Sequence, residues 1–593
     1  MTSAVHKKMM KKKAAPSRSK LLVVLLLFSA CAVVALLVRD RGVQVARMIP
    51  VSLRDGHADA PPPLPPPSDD HQEESEPPAM EIPYAADTRW EIQWESISRS
   101  LSSSSSIATS VGLLNFNSSE VARWRTTLPA AHIRAVRLAP AADDITWEAL
   151  YPEWIDEDNP IGNSCPSLPD PDPNPPLHDY ELVAVKLPCR GQSWSRDVRR
   201  LHLQLSAAKL AHHSGSSSMV LILSESECLP LPNLFPCKHL LARHAHAWLY
   251  RPDAAYLRHR LSLPIGSCQL AVPFLRPSGP TVPKTGRRRQ AYATVLHSAD
   301  AYVCGAIALA QSIRQSGSTR DLVALVDAHG HGADKRAALV AAGWQVRPAP
   351  RIRNPRAVRH AYNEWNYSKF RLWQLTDYDR VVFLDADLLV LRNMDFLFEE
   401  EAAAELSATA NSGARFNSGV MVLEPCNCTF ELLMSGIHDI DSYNGGDQGY
   451  LNEVFTWWHR LPRRANLLKY VWDEGDRAAQ ARLLSAEPAE VYAVHYLGRK
   501  PWLCYRDYDC NWNVPALRRF ASDEAHARWW AMHDRIEPAE LRHRFCALPE
   551  RQMAALEQDR REAERAMAPD AHWNRTITDP RAHRAVSHPE APL

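Results

Sequence analysis

Asp385 and Asp387 stand one residue apart at the end of an apolar run, Val381-Val382-Phe383-Leu384, and four more apolar residues follow them. A β-branched and aromatic run of this kind predicts a buried strand, continuous through 381–391, in a parallel sheet. Carboxylates at the end of such a strand are costly unless something compensates them. Asp-x-Asp projects two hard oxygen ligands from one short turn, which suits manganese or magnesium. A divalent ion held there can clamp a diphosphate and stabilise it as a leaving group. In an open α/β sheet, ligands bind at the carboxyl ends of strands. Alone, the pair is equally consistent with a polar strand end, so the remaining chain decides.

Three further clusters fit the same chemistry. Asn417-Ser418-Gly419 leads into an apolar strand, and its amide and small residues suit a sugar, or an ordinary turn. Asn444-Gly445-Gly446-Asp447-Gln448 places an acid and an amide after two glycines, which let backbone approach a ligand closely. His495, Gly498 and Lys500 end another apolar run. Histidine is a suitable third manganese ligand, and lysine a phosphate partner. Lys369 sits in residues 362–373, read as a helix.

The elements that must position these residues alternate. Strands are predicted at 291–296, 322–326 and 344–346, with helices at 302–315 and 335–342 between them. This β-α-β-α-β order implies an α/β fold with a parallel sheet and right-handed crossovers, half of a nucleotide-binding fold. The first turn, His297-Ser298-Ala299-Asp300, is not G-x-G-x-x-G, so a dinucleotide fingerprint is absent. A sugar nucleotide fits better. Ahead of this region, residues 111–285 read as a further α/β domain without a chemical motif. Its strands are expected at 111–116, 181–187 and 219–223, and a helix at 197–211.

The chain has 593 residues and a formal net charge of +1, which gives no basis for a nucleic-acid partner. Residues 1–20 are basic without an acid, and residues 21–38 are uncharged. At about 1.5 Å per residue that run spans roughly 27 Å, enough for a thin bilayer. It is read as an uncleaved signal-anchor with a cytosolic tail (1–20), in preference to a signal peptide cut near Ala32. A proline-, acid- and serine-rich stretch over 39–110 reads as a disordered stem. Everything beyond the anchor is then lumenal. Eleven of the 12 cysteines lie there, so disulfides are expected with one thiol left over. Cys228 and Cys237 lack zinc spacing. Sequons stand at Asn117, Asn366, Asn427 and Asn574, and Asn366 is expected to stay unmodified beside the site. The catalytic region is placed at 286–530. After it, 531–593 holds a charged helix over 550–566 and a tail disordered from Pro580.

The blocks Phe383-Leu384-Asp385-Ala386-Asp387, Phe416-Asn417-Ser418-Gly419, Gly445-Gly446-Asp447-Gln448-Gly449, and His495 with Gly498, Lys500, Pro501 and Trp502, in this order, resemble the glycogenin-like glycosyltransferases, family eight of the retaining transferases. Within it, residues 362–370, 504–512, 111–116 and 572–581 resemble the plant enzymes that add glucuronic acid to xylan. The resemblance implies a Rossmann-like fold of GT-A type with a mostly parallel sheet, and transfer from UDP-glucuronate to xylan. It implies a Golgi location, with other xylan-synthesis enzymes as possible partners. Asp385, Asp387 and His495 would bind manganese. Gly498 and Lys500 would hold the diphosphate, with Tyr496, Leu497 and Arg499 in the same segment. Leu296, Ser298 and Tyr302 would bind uridine. Lys369, Asn417, Ser418, Asp447 and Gln448 would surround the sugar, with Ala386, Gly419, Asn444, Gly445 and Gly446 completing the substrate site. Asp447 and Gln448 are the catalytic candidates; a front-face route would need neither as nucleophile. Two departures from glycogenin, Asn444 in place of an aspartate and a longer His495-to-Lys500 segment, argue against self-glucosylation. The alternatives are another family-eight activity (glucosyl, galactosyl or galacturonosyl) or a non-catalytic scaffold. Preference for a uronosyl donor requires a cation at its carboxylate, and Arg359, Arg371, Arg415 and Arg499 are the candidates.

Overall fold

Short apolar runs supply two large sheets whose central strands are buried on both faces. The computed structural model describes residues 84–583 apart from 85–87, 89, 103–107, 160–163, 173–179, 190, 215–217, 226–227, 272–288, 298–299, 328–331 and 400–405. The expected cytosolic tail and the apolar run 21–38 lie outside the described residues. No helix among the described residues is long and apolar enough to cross a membrane.

In the N-terminal half, β1 (Ser110–Leu114), β2 (His132–Ala135), β3 (Leu182–Lys186), β4 (Met219–Leu223), β5 (Leu240–His244) and β6 (Ala247–Tyr250) form one sheet in the order β2-β1-β3-β4-β6-β5. The first four are parallel, and β6 and β5 turn antiparallel. The two-residue period of a strand divides β3 cleanly: Leu182 and Ala184 enter one core, Val183 and Val185 the other. The expected helix is Val198–His213, with Asp197 capping it by accepting from Arg199 N. The stem boundary moves. Residues up to 110 were expected to be disordered, yet Trp94–Ser102 is a helix on β5 and β6. Fully buried Ile97, with Ile92, gives it an apolar side that the serine-rich composition hides.

The second sheet joins β7 (Gln290–Leu296), β8 (Asp321–Val326), β9 (Gln345–Pro348) and β10 (Arg380–Leu384), all parallel, to later strands. The run expected to be one strand over 381–391 is two. β10 ends at Leu384, and β11 (Leu388–Val390) belongs to a separate three-stranded sheet. Asp385-Ala386-Asp387 is the crossing between sheets, made as a turn in which Leu388 N donates to Asp385 O at 3.0 Å. The large sheet is completed by β12 (Ser407–Ala410), β13 (Phe416–Leu423) and β14 (His459–Arg460), giving the order β14-β12-β13-β10-β7-β8-β9. β13 runs antiparallel to β10 and β12, so the sheet is mixed but mostly parallel. β15 (Leu467–Leu468) and β16 (Ala493–His495) finish the small sheet, with His495 opposite Leu388. The helix Tyr302–Gln315 matches expectation. Residues 362–373, expected to be a helix, form turns and then a 3₁₀ helix, Asn366–Gln374.

The C-terminal boundary also differs. Residue 530 falls inside the helix Asp523–His533, whose Trp529 and Trp530 share the core with Trp502. Past the helix Glu550–Arg565, the chain expected to be disordered from Pro580 is held to 583, because the Arg581 guanidinium donates to the carbonyls of Trp502, Cys504 and Cys546. Disulfides join Cys165–Cys268, Cys189–Cys228, Cys237–Cys428, Cys304–Cys546 and Cys504–Cys510, and Cys426 keeps its thiol. Any zinc reading of Cys228 and Cys237 falls with those bonds.

The described residues belong to one compact unit. A single core runs from Leu203 of the Val198–His213 helix and Trp248 of the first sheet to Phe383 and Met421 of the second, with Trp458 just before β14. Buried Asn233 donates to Trp457 O at 2.6 Å, and Arg460 Nε to Ser267 O at 2.6 Å. Glu424, just past β13, is clamped by Lys238 at 2.7 Å and by Arg260 and Arg380 at 3.5 Å each. Burial alone would raise its carboxyl, but the three cations outweigh burial and hold it at about 2. A carboxyl depressed on folding from 4.5 contributes stability that is whole above pH 4.5 and lost as pH falls towards 2. Glu424→Gln is therefore expected to cost about 3 kcal/mol at pH 7, by the free energy of such a shift. Thermal unfolding should show the gap from the unmodified protein closing as pH falls below 4.5. A gap independent of pH would contradict the clamp.

Candidate active site

β10 and β7 end side by side where the strand order reverses, which is where an open α/β sheet leaves a crevice. Asp385 and Asp387 stand at that point. Asp385 is fixed by its N–H donating to Gly419 O at 2.9 Å, and Asp387 by its carbonyl accepting from Tyr496 N at 3.0 Å. The second contact, with the β11–β16 ladder, sets His495 Nε2 3.3 Å from Asp387 Oδ1. Gly419 has no side chain because a Cβ there would lie 2.3 Å from His495 Cε1. Across the crevice, Gly305 lets the helix Tyr302–Gln315 pack on the turn, where a Cβ would lie 2.3 Å from Ala386 O.

The two carboxylates are balanced by separate lysines. Lys500 Nζ lies 2.6 Å from Asp387 Oδ2 and Lys369 Nζ 3.3 Å from Asp385 Oδ1. Burial would raise the Asp387 carboxyl, but Lys500 and His495 hold it well below the usual carboxylate range. Burial pushes the Asp385 carboxyl up, against the pull of Lys369. Its side chain keeps 30% exposure, so water offsets part of that push. Among the described residues, Asp385, Asp387 and His495 form the group able to hold a metal ion, with ligand atoms within 4.8 Å of one another. Among the described residues, the buried His495 Nδ1 has no hydrogen-bond partner. Two carboxylates with one imidazole fit a divalent ion such as manganese, and a ligand role would satisfy a buried imidazole.

A wall of polar side chains continues from this centre. Lys369 Nζ also reaches Asp447 Oδ2 at 2.6 Å and donates to Ser418 Oγ at 3.3 Å. Asp447 further accepts from Ser418 Oγ at 3.0 Å and Asn366 Nδ2 at 2.9 Å. Gln448 Oε1 accepts from Ser418 N and Asn417 Nδ2 at 3.2 Å each, and its Nε2 donates to Tyr443 OH at 2.6 Å. These residues meet because β13 departs from its ladder with β12 between Met421 and Asn417, and the slack turns Asn417 and Ser418 towards the Asp447–Val454 helix. Gly445, at φ +65°, shapes the loop before that helix, and its carbonyl accepts from Asn354 and Asn363.

Not every expected residue offers its side chain. Asn444 Oδ1 accepts from Gly446 N and Gly449 N at 3.0 Å each, so it ties its own loop. The Tyr496 ring is buried and its OH donates to Ala525 O at 2.8 Å, leaving only backbone to the site. Arg499 pairs with Asp559, while its N–H and that of Leu497 are spent on Asn511 Oδ1 and His495 O. Leu296 is buried in the core; Tyr302, also expected at uridine, borders Lys500, Asp387 and Asp385 closely enough to feel their charges. Ser298 lies outside the described residues. Gly498, at φ +74°, packs where a Cβ would lie 2.7 Å from Asn511 Oδ1. Sequence reasoning missed Asn511, with Asp509 and Lys469 behind it: Lys469 Nζ sits 2.6 Å from Asp509 and its N–H donates to His495 O. The signal for Asp509 and Asn511 was the block at residues 504–512, visible without a role. It also missed Asn366 as a site residue because its sequon drew the reading. The other sequon asparagines, Asn117, Asn427 and Asn574, are exposed.

Residues 84–268 match the model described as GUX1-5 N-terminal domain, and 293–505 that of Glycosyl transferase family 8. The chain is 52% identical over 505 residues to an Arabidopsis thaliana protein named UDP-glucuronate:xylan alpha-glucuronosyltransferase 1, spanning 83% of this chain and 74% of that one. The chain belongs to glycosyl transferase family 8. It is a hexosyltransferase with a GT-A-like α/β fold. A second Arabidopsis thaliana family member, UDP-glucuronate:xylan alpha-glucuronosyltransferase 2, is 47% identical over 494 residues, 80% of this chain and 81% of its own length. Caenorhabditis elegans Glycogenin-1 is 34% identical over 212 residues, 34% of this chain and 48% of that one, so the likeness to glycogenin is confined to part of the chain.

Asp387→Asn keeps the shape of the family 8 centre but removes a charge. Transfer is expected to fall by about two orders of magnitude or more, the scale of losing electrostatic transition-state stabilisation. Melting in manganese and UDP should show the unmodified protein stabilised and the variant not. Equal turnover of both proteins in a chelator would contradict the metal site.

Proposed function

We propose that this hexosyltransferase moves glucuronosyl from UDP-glucuronate to the xylose backbone of xylan with retention, using manganese, from a Golgi membrane in which residues 21–38 are its single anchor and the catalytic unit is lumenal. The observation that carries the reading is one continuous surface, running from Asp385, Asp387 and His495 through Lys369 to Asp447 and Gln448, in a chain that aligns along most of its length with the Arabidopsis glucuronosyltransferases. Five disulfides suit an oxidising lumen, and the basic flank before residue 21 suits a cytosolic N-terminus.

The chain's own groups then divide the work. A divalent ion, when bound by Asp385, Asp387 and His495, supplies positive charge to the departing diphosphate. Lys500 stays protonated beside Asp387, because that carboxylate outweighs the cost of burial, and adds a second positive charge there. Lys369 stays protonated on the same grounds, between Asp385 and Asp447. Both oxygens of Asp447 are occupied, by Lys369 and Ser418 on one and Asn366 on the other, so this carboxylate is built to accept and orient rather than to attack. That favours a front-face route, in which the leaving phosphate oxygen takes the proton of the incoming hydroxyl. Tyr362, 87% exposed beside Asn363, offers a flat face that an acceptor pyranose can cover.

Two measurements test the reading. Full-length protein offered UDP-sugars with xylo-oligosaccharides should yield uronosyl-bearing products, identified by mass. Faster glucosyl or galactosyl transfer would overturn the donor. Protease added to sealed microsomes should spare residues 39–593, and a mature N-terminus near Ala32 would overturn the anchor.

A further inference from the structure

We propose that Arg415 reads the carboxylate on C5 of the donor's glucuronosyl group, a proposal that rests on the donor reading above. Glucuronate differs from glucose in carrying a carboxylate where glucose has a hydroxymethyl. A planar guanidinium binds both oxygens of a carboxylate at once, so an arginine is the side chain suited to tell them apart.

The strand places Arg415 at the sugar. Its carbonyl accepts from Asn411 N at 2.8 Å, which extends the β12–β13 ladder one step past the Ala410–Phe416 pair. Arg415 therefore shares a face with Asn417, about 7 Å along the strand. Asn417 meets Gln448, Gln448 donates to Tyr443 OH, and the Arg415 guanidinium stacks on the Tyr443 ring at 4.1 Å. Arg415 thus closes the polar wall at the end away from His495.

The electrostatics separate it from its neighbours. Arg351, Arg353 and Arg356 face Asp327, Glu364 and Asp441. Of the other candidates, Arg499 pairs with Asp559, and Arg371 donates to Pro350 O and Gln374 Oε1 while lying over Phe430. Among the described residues, no hydrogen bond, ion pair or ring contact ties the exposed Arg359 to the wall. Arg415 is half-buried and, among the described residues, has no carboxylate partner, and its Nε is buried there without a hydrogen bond. Shielding a guanidinium without an anion is costly. A carboxylate arriving with the substrate removes that cost, while a hydroxymethyl leaves it in place, and sites built for a polar partner discriminate strongly on that basis.

The test offers UDP-glucuronate and UDP-glucose in competition to full-length protein with a xylo-oligosaccharide acceptor. Arg415→Gln is expected to lower the preference for UDP-glucuronate by at least about tenfold, the scale of a charge-assisted hydrogen bond. The change should lie mainly in KM for UDP-glucuronate. Arg415→Lys should keep part of the preference, since it retains the charge without the fork. Melting with each donor gives a readout independent of turnover: the extra stabilisation by UDP-glucuronate over UDP-glucose should vanish in Arg415→Gln. A folded Arg415→Gln with full donor preference overturns the assignment. Should that variant fail to fold, Arg415→Lys decides, and an unchanged ratio there overturns it. If the unmodified protein shows no preference for the uronosyl donor, the donor reading falls and the assignment with it.

Discussion

Two carboxylates brought together at the end of a buried strand must be neutralised, and the site is arranged around that requirement. Asp385 and Asp387 each face a different lysine, and His495 lies against Asp387. None of the three cationic or ligating groups comes from β10 itself. They arrive from Asn366–Gln374, from β16 and from the segment after it. The balance therefore exists only when two separate stretches of chain have folded onto one strand end. That makes the local electrostatics a consequence of topology: β10 stops at Leu384, the chain crosses to a second sheet, and the crossing puts His495 opposite Leu388.

The rest of the molecule holds that crossing in place. Gly419 and Gly305 give up side chains so that His495 and the Tyr302–Gln315 helix can close on it from two sides. The buried Lys469–Asp509 pair and Asn511 fix the segment that carries Gly498 and Lys500. On the opposite side of the large sheet, the N-terminal domain covers β13 and β10 with a shared core, the Cys237–Cys428 bond and the Glu424 clamp. The sequence reading found no chemical motif in this domain, and its packing lies at the back of the strands whose ends carry the site residues. A centre whose groups act by position gains directly from such support.

The site was legible where chemistry requires particular side chains at short spacing. Asp385, Asp387, His495, Asp447 and Gln448 were readable for that reason, and Lys369 through the family resemblance, and the structure brings them together. The parallel half of the fold was legible from its alternating apolar runs, including the helix Tyr302–Gln315 to the residue. What could not be read depends on long-range partners. The apolar run 381–391 looks continuous because both halves are buried, although they belong to different sheets. Asn444 and Tyr496 stand inside functional blocks, yet their side chains serve their own loop and core. Arg581 is held by carbonyls of residues 502–546, a constraint that local composition does not encode.

The central claim is that Asp385, Asp387 and His495 converge to hold one divalent ion at the donor diphosphate. Crystals of the protein grown with manganese and UDP, measured at the manganese absorption edge, test it most directly. The account predicts a single anomalous peak within bonding distance of all three side chains, with Lys500 drawn to the phosphates. A peak held by other residues, or UDP bound in the crevice with no metal at these three, would contradict it.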